Sequence, residues 1–175
     1  MKLNLAAIVA AAGDCQLEAR PEEIDLVPPK GSDVEFRDPV FARLTTRRVG
    51  EEFFAAGHVE TSGTFTCVRC LETFKARIEA ALELVIHRVT APQPIDPEPD
   101  NYVEVPLGRA EYDVGPHVRD GLLLAVPQAP HCLEECLGLC ARCGANLNKE
   151  KCTCKDLPAD PRWEGLKQLD QIERG

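Results

Sequence analysis

The sequence has few aromatic residues, no long apolar run and no excess of basic charge. Aromatic residues make up 5% of its 175 residues and hydrophobic residues 44%, so we expect an aliphatic core. No apolar run approaches the roughly 18 residues of a membrane span, which predicts a soluble protein. With 20 basic and 29 acidic residues the net charge is −9, which argues against wholesale, nonspecific coating of nucleic acid. Any RNA contact has to be local or pass through a protein partner.

Signatures of catalysis are also missing from the sequence. It contains no glycine-rich phosphate loop, and its carboxylates show no pairing at spacings that suit acid–base chemistry. The four histidines are scattered: His58, His87, His117 and His131. Only His131 adjoins a cysteine, and a surface position is the simpler interpretation for it. We therefore expect a protein that is not an enzyme and has no small-molecule substrate.

The sequence does contain a dense group of cysteines near its C-terminal end. Six of the nine cysteines lie in the run HCLEECLGLCARCGANLNKEKCTC: Cys132, Cys136, Cys140, Cys143, Cys152 and Cys154. The run includes a Cys-x-x-Cys-Gly turn at 140–144, in which the glycine lets the chain fold back beneath two thiolates. Zinc takes four such ligands in a tetrahedron, so the pattern predicts one structural Zn²⁺.

Disulfide bonding is the alternative, and the cellular compartment distinguishes the two. The first residues, MKLNLAAIVAAAGDC, resemble a short export leader, but the apolar run at 5–12 is barely long enough. Asp14 also separates Gly13 from Cys15, where a lipoprotein leader has its cysteine directly after the small residues. We therefore expect a cytoplasmic protein with reduced thiols, in which clustered cysteines bind metal more often than they form bridges.

The sequence leaves the choice of metal ligands open. Cys140 and Cys143 are the strongest candidates because they share the Cys-x-x-Cys-Gly turn. The other two ligands are expected among the remaining cysteines of the run. The order of preference is Cys136, Cys152, Cys154, Cys132.

A further pair, Cys67 and Cys70, allows three interpretations. It could form a zinc ribbon with Cys140 and Cys143, because two facing Cys-x-x-Cys turns make such a site and both have the form Cys-x-Arg-Cys. It could also be a turn of small residues packed into the core. A redox dithiol is the least favoured of the three, because no helix of a βαβ unit begins at this pair to lower a thiol pKa.

The apolar pattern predicts an α+β protein that is mainly antiparallel β. Residues 74–89 alternate apolar and polar side chains with a period of two, which predicts a strand with one core face. The other predicted strands are 3–9, 24–27, 40–49, 59–66 and 102–105. With this many strands we expect a barrel-like or strongly twisted sheet with one or two helices.

The remaining segments suggest two domains. Residues 1–130 form a β-rich domain with an acidic, proline-rich loop at about 91–101. A helix at about 114–125 packs on its sheet, since Asp113 can accept hydrogen bonds from the first-turn amides. Residues 131–175 form a C-terminal cysteine-rich, zinc-binding module and a short final helix with Trp163 on its apolar face.

Two motifs give the chain a resemblance to a known family. They are CVRCL at 67–71 and GLCARCGANLN at 138–148, separated by an acidic loop and a helix and followed by a Cys-x-Cys pair and DPRW. In this order they are similar to the YceD family, the large-ribosomal-RNA-subunit accumulation proteins of bacteria and plastids. The resemblance covers about residues 64–169. It implies a noncatalytic ribosome-biogenesis factor that promotes accumulation of 23S rRNA and the large ribosomal subunit.

The partner implied by the resemblance is precursor 23S rRNA, a large-subunit ribosomal protein, or both. RNA contact by an acidic protein requires a local positive field. The candidate residues are Arg43, Arg47, Arg48, Arg69, Arg142, Lys149 and Lys151. Taken singly, each basic group is more simply a solvated surface. The acidic net charge motivates an alternative hypothesis, a zinc-stabilised protein-interaction module not tied to ribosome assembly.

Overall fold

The structure, a computed structural model, describes residues 1–10, 13–28, 30–91, 101–154 and 162. Two predicted features lie outside these residues: positions 92–100 of the acidic loop, and the final helix with Trp163. Within the described ranges, no helix combines the length and the apolar character needed to cross a bilayer.

Eight strands and two α-helices follow one another along the described chain. Their order is β1 (Lys2–Asn4), α1 (Leu5–Ala10), β2 (Gly13–Ala19), β3 (Glu35–Phe36), β4 (Val40–Val49), β5 (Glu52–Thr66), β6 (Thr73–Val89), β7 (Tyr102–Pro106), β8 (Glu111–Asp113) and α2 (Gly115–Leu124). The main sheet has the order β2-β4-β5-β6-β7, and β3 also pairs with β5. Strands β1 and β8 form a separate two-stranded sheet.

The hairpin of β5 and β6 is the centre of the main sheet. Its strands pair along the whole of β5 and end at Thr66↔Thr73. The period-two pattern predicted for β6 is confirmed, because its apolar side chains at Ile78, Leu84 and Ile86 are buried in the core. The hairpin therefore holds the turn at 67–72, which contains CVRCL, at one end of the sheet.

The prediction of a mainly antiparallel sheet is confirmed, but the described strands do not close into a barrel. Strand β7 pairs in parallel with residues 85–89 of β6, and β2 lies at the opposite edge, paired with β4. Closure would require hydrogen bonds between these two edges. Instead α2 packs against β5 and β6, where its buried Val118 and Leu122 join the core. A helix, and not a second wall of sheet, covers this apolar face.

Helix α2 occupies the position at which the sequence predicts a helix. Asp113 Oδ1 accepts a hydrogen bond from the Gly115 amide at 2.9 Å, which satisfies a first-turn donor. The helix brings the chain from the sheet to the cysteine run, which begins eight residues after Leu124, at Cys132.

The predicted strand at 3–9 is wrong beyond its first residues. Asn4 ends β1, and its Oδ1 accepts the Ala7 amide at 3.0 Å in the manner of an N-cap. The following alanine-rich run has high helix propensity. Helical spacing places Leu5 and Ile8 together in the core.

The predicted strand at 24–27 is also wrong, and β2 is not predicted by the sequence. A 3-10 helix, Pro21–Ile24, occupies the first of these positions, because the fixed φ of Pro21 favours a helical first turn. Strand β2 has the polar sequence GDCQLEA, which carries a weak apolar pattern, and pairing with β4 along its whole length stabilises it.

Candidate metal centres

Eight of the nine cysteines form two groups of four. The first cluster comprises Cys67, Cys70, Cys132 and Cys136; the second comprises Cys140, Cys143, Cys152 and Cys154. Within each cluster the sulfur atoms lie within 4.8 Å of one another. The ninth cysteine, Cys15, lies on β2 and packs against the main core. Either cluster could hold a metal ion, whereas the sequence predicts one site.

The first cluster joins two distant parts of the chain. Cys67 and Cys70 lie in the turn between β5 and β6, and Cys132 and Cys136 lie in the segment after α2. The Sγ atoms of Cys67 and Cys136 are 3.9 Å apart, and those of Cys70 and Cys132 are 3.6 Å apart. This group packs as a small apolar cluster separate from the main core.

The second cluster lies entirely within residues 131–154, the segment after α2 that is here called the tail. Cys140 and Cys143 occupy a turn flanked by a β-bridge between Leu139 and Asn146. Cys152 Sγ lies 3.3 Å from Cys140 Sγ and 3.7 Å from Cys143 Sγ. The two strongest candidate ligands thus lie with Cys152 and its neighbour in the Cys-x-Cys pair, and not with the turn between β5 and β6.

The turn CVRCLE, here called the first knuckle, has a compact backbone. The Leu71 amide donates to the Cys67 carbonyl at 2.9 Å, and the Cys67 amide donates to the Glu72 carbonyl at 2.9 Å. Leu71 has a φ of 59°, in the left-handed region that glycine adopts most easily. This bend brings the two thiols of the turn together.

The turn CARCGA, here called the second knuckle, has the same geometry. The Gly144 amide donates to the Cys140 carbonyl at 2.9 Å, and the Cys140 amide donates to the Ala145 carbonyl at 2.8 Å. Gly144, with a φ of 74°, occupies the position that Leu71 has in the first knuckle. The two Cys-x-Arg-Cys motifs are therefore two copies of one local structure.

The sulfur separations suit tetrahedral metal sites. Zn–S bonds of about 2.3 Å place neighbouring sulfurs of a tetrahedron about 3.8 Å apart. The short separations here are 3.6 and 3.9 Å in the first cluster and 3.3 and 3.7 Å in the second. A disulfide bond would measure about 2.05 Å, and all nine cysteines are free. Four thiolates form a donor set for Zn²⁺ or iron, so the chemistry of both clusters fits the predicted metal.

Backbone amides and burial set the electrostatics of the first cluster. Burial raises the pKa of the Cys67 thiol, but hydrogen bonds from the backbone of Cys70, Cys132 and Arg69 outweigh it and lower the pKa to about 6. Burial and the neighbouring thiols raise the pKa of Cys132 to about 12. Cys67 therefore ionises easily, whereas Cys132 requires a nearby cation to do so.

The same contrast recurs in the second cluster. The amides of Cys143 and Arg142 lower the pKa of Cys140 to about 6, and the Arg142 amide lies 3.4 Å from its sulfur. The thiols of Cys152 and Cys143 raise the pKa of Cys154 to about 12. Each cluster therefore contains one thiol prepared to bind a cation and one that ionises only beside it.

The two clusters differ in their exposure to solvent. Cys67, Cys70 and Cys136 are 0%, 4% and 5% exposed. In the second cluster, Cys143 and Cys154 are exposed. The first cluster is thus part of the protein interior, and the second lies at the surface.

Arg69 fastens the tail to the first knuckle. Its Nη1 donates to the carbonyl oxygens of Glu134 at 3.1 Å and Cys136 at 3.2 Å. Its own carbonyl accepts the Leu139 amide at 3.0 Å. Gly138 makes this approach possible, because a Cβ there would lie 3.0 Å from the Arg69 carbonyl oxygen. This candidate RNA contact therefore has a structural role.

Two asparagines of the GANLN motif support the first cluster, although sequence reasoning did not select them. Asn148 Nδ2 lies 3.3 Å from Cys136 Sγ, and its Oδ1 accepts the Leu137 amide at 2.9 Å. Asn146 Oδ1 accepts hydrogen bonds from the Asn148 amide at 3.0 Å and from its Nδ2 at 2.9 Å. The only sequence signal for these roles was membership of the GLCARCGANLN motif.

Glu72, at the end of the first knuckle, was also missed. Its Oε1 lies 2.7 Å from Lys149 Nζ and 3.4 Å from Asn146 Nδ2. Lys149 holds the pKa of the Glu72 carboxyl below its usual value. This ion pair joins the β5–β6 hairpin to the tail. Lys149, a second candidate RNA contact, therefore also has a structural partner.

The other candidate RNA contacts fall into two places. Arg43, Arg47 and Arg48 lie on β4. Arg142 and Lys151 are exposed in the tail, next in sequence to Cys143 and Cys152 of the second cluster. The β4 group and the tail group thus belong to different elements of the structure.

The arginines on β4 have partners on the neighbouring strand and turn. Arg43 Nη2 lies 3.2 Å from a Glu60 carboxylate oxygen, and the Arg47 guanidinium carbon lies 5.1 Å from the centre of the Phe54 ring. Arg48 Nη2 lies 3.2 Å from Glu51 Oε1, in the turn between β4 and β5. These contacts reduce the local positive field that RNA binding requires.

The fold and the clusters together define a protein class: an open, mostly antiparallel sheet whose central hairpin shares one of two four-cysteine clusters with a C-terminal tail. The chain belongs to the YceD family, described as "Large ribosomal RNA subunit accumulation protein YceD", whose model matches residues 55–170. This confirms the resemblance that the two motifs indicated. No solved structure matches the chain significantly.

Relatives occur in bacteria and plants. An uncharacterised protein of Mycobacterium leprae is 28% identical over 136 residues, which cover 78% of this chain and 61% of the relative. The Zea mays protein "Large ribosomal RNA subunit accumulation protein YCED homolog 1, chloroplastic" is 28% identical over 149 residues, 68% of this chain and 50% of the relative. The Arabidopsis thaliana protein of the same name is 39% identical over 67 residues, 36% of this chain and 21% of the relative. The matched part of the chain thus spans less than two thirds of the length of each of these relatives.

Proposed function

We propose that this chain is a noncatalytic factor in biogenesis of the large ribosomal subunit and promotes accumulation of 23S rRNA in the cytoplasm. The observation that carries the proposal is the family match over residues 55–170, which includes all eight clustered cysteines. Four-thiolate sites support a binding role, because catalytic zinc sites keep one coordination position open whereas structural ones are closed by four protein ligands.

The proposed partner is precursor 23S rRNA, a large-subunit ribosomal protein, or both. For RNA, the surface of the second knuckle is the best-placed contact, since Arg142 and Lys151 are exposed there. Arg69 and Lys149 serve mainly to join the tail to the sheet. With a net charge of −9 on the whole chain, such binding is weak and strongly salt-dependent.

The proposed cofactor is a structural Zn²⁺ in the second cluster. Cys140 and Cys143 provide two ligands from the knuckle, and Cys152 and Cys154 provide two from the returning chain. Bound there, the ion supplies a rigid cross-link and no reaction step. With the ion bound, the second knuckle would hold the exposed Arg142 in a fixed position at the surface.

A second candidate function is a zinc-stabilised protein-interaction module outside ribosome assembly. The pairing of Arg43, Arg48 and Lys149 with carboxylates favours it, because paired cations are less available to phosphates. Under this hypothesis the protein associates with a protein partner that does not sediment with ribosomal precursors.

Sedimentation of a cell lysate on a sucrose gradient distinguishes the two functions. The first predicts that the protein comigrates with free large-subunit precursors, and that brief ribonuclease treatment releases it if RNA is the direct partner. Comigration that resists ribonuclease indicates a ribosomal protein. A pool of protein found wholly at the top of the gradient would contradict the first function and favour the second.

A further inference from the structure

The two clusters connect the chain over very different distances. In the first cluster, sulfur contacts join residues 69 and 62 positions apart in sequence. In the second cluster, they join residues 12 and 9 positions apart. A metal ion in the first cluster would therefore attach the tail to the sheet, whereas one in the second would close only a local hairpin. Closing the longer loop removes more freedom from the unfolded chain.

The cysteines of the first cluster are mostly buried and held by hydrogen bonds, as the ligands of a structural metal site are. Cys136 Sγ accepts a hydrogen bond from Asn148 Nδ2 at 3.3 Å, and Arg69 holds the Cys136 carbonyl at 3.2 Å. Hydrogen bonds of this kind orient a metal ligand. Three of the four cysteines are buried, so solvent and chelators have little access to them.

From these differences we propose that the chain holds two separate zinc ions with different tasks. The ion held by Cys67, Cys70, Cys132 and Cys136 fastens the tail to the β5–β6 hairpin and exchanges slowly. The ion of the second cluster, which the proposed function already uses, shapes the second knuckle and exchanges faster because two of its ligands are exposed. The first site goes beyond that function and does not depend on it.

Binding at the first site is a ligand exchange without a redox change. Four Zn–S bonds form to one Zn²⁺, and each of the four cysteines that is still protonated releases its proton to the buffer. The resulting four-thiolate site carries a charge of about −2. Arg69, whose Nη1 lies 3.2 Å from the Cys136 carbonyl oxygen, is a cation beside the site that offsets part of this charge.

Zinc content of the purified full-length chain tests the proposal. We expect two ions per chain, one for each cluster. Cys132→Ser and Cys154→Ser form a matched pair, since each removes one tail ligand from a different cluster. Each variant is expected to lose one of the two ions, and Cys15→Ser, outside both clusters, is expected to keep both. One ion in the parent chain, or loss of all metal in either single variant, would overturn the proposal.

Two measurements on the intact chain keep the test independent of variant folding. Titration of the metal-free, reduced chain with Co²⁺ is expected to develop thiolate-to-cobalt absorption up to two equivalents, and an endpoint at one equivalent counts against two sites. Removal of zinc by a chelator is expected in two phases of equal amplitude. A single phase contradicts the unequal exchange, and zero zinc with oxidised cysteine pairs would mean that the first cluster is a disulfide site.

Limited proteolysis distinguishes the tasks of the two ions. Cys132→Ser is expected to expose residues 131–139 to cleavage, while the sheet and the second knuckle, which keeps its own ion, stay protected. Cys154→Ser is expected to leave the attachment of the tail unchanged and to expose only residues 140–154, which contain the second cluster. The reverse result, or equal cleavage of the two variants, would contradict the assignment of the first ion as the attachment of the tail.

Discussion

Arg69 Nη1 donates a hydrogen bond to the Cys136 carbonyl oxygen at 3.2 Å and so joins the first knuckle to a segment 67 residues further along the chain. The arginine of this Cys-x-Arg-Cys motif therefore serves the protein's own assembly. Its counterpart in the second knuckle, Arg142, is exposed. Arg69 is exposed as well, so its hydrogen bonds to the tail, and not burial, give it this structural role.

The two hydrogen bonds of Arg69 to the tail predict a measurable cost of truncating this side chain. Arg69→Ala is expected to lower the free energy of unfolding of the zinc-loaded protein by about 1 kcal/mol, since an exposed side chain loses two hydrogen bonds to carbonyls. Arg109→Ala, at an exposed arginine between β7 and β8, is the control and is expected to change it by less than about 0.5 kcal/mol. Urea unfolding measures both. Equal losses in the two variants would show that Arg69 does not tie the tail to the sheet.

Gly144 provides a test of the knuckle geometry. Its φ of 74° lies in the left-handed region, so Gly144→Ala is expected to destabilise the second knuckle by about 1–2 kcal/mol. Zinc affinity of the second cluster should fall accordingly in a competition with a chromophoric chelator. Gly108→Ala is the control, because a Cβ at this position meets nothing within 4 Å. If Gly144→Ala binds zinc as tightly as the control, the knuckle does not need this backbone conformation.

The strands that flank Cys67 and Cys70 were easier to predict from the sequence than the composition of the two clusters. The alternation in β6 depends only on which side chains face the core, and this period is visible in the sequence. The composition of the first cluster depends on where α2 directs the chain. No local pattern shows that the turn between β5 and β6 meets Cys132 and Cys136 and not the second knuckle.

The wrong strand prediction at 3–9 has a similar origin. The run that forms α1 is apolar enough for either a strand or a helix, and the Asn4 cap together with the pairing of β1 with β8 favours the helix. The supporting roles of Asn148 and Glu72 appear only when the tail lies on the hairpin. Sequence spacing carries no information on such contacts.

Charge reversal in the second knuckle tests direct RNA contact. Provided that zinc content is unchanged, the double variant Arg142→Glu with Lys151→Glu is expected to have a shallower slope of log affinity against log salt. The slope should fall by about 0.7–0.9 for each phosphate that the variant no longer neutralises. Lys30→Glu with Arg37→Glu makes the same change in net charge outside the tail and serves as the control. An unchanged slope for the first pair would indicate that the tail does not touch RNA and binds a ribosomal protein.

The Asp113 carboxyl is expected to contribute to the loss of folding stability in acid. Burial raises the pKa of its carboxyl, but the Gly115 amide and the N-terminal ammonium outweigh burial and lower the pKa below its ordinary value of 3.8. The ionised form therefore stabilises the fold above that value, and this contribution is lost as the pH falls through the lower, folded-state pKa. Asp113→Asn should flatten the fall of stability as the pH drops below about 4. A fall as steep as that of the parent would exclude this contribution.

The ratio of 23S to 16S rRNA in cells that lack this protein tests the central claim most directly. The account predicts that the ratio falls and that large-subunit precursors accumulate. Expression of the parent chain should restore the ratio, whereas a chain with both Cys132→Ser and Cys154→Ser should not. An unchanged ratio in cells that lack the protein would contradict the proposed role in accumulation of the large ribosomal subunit.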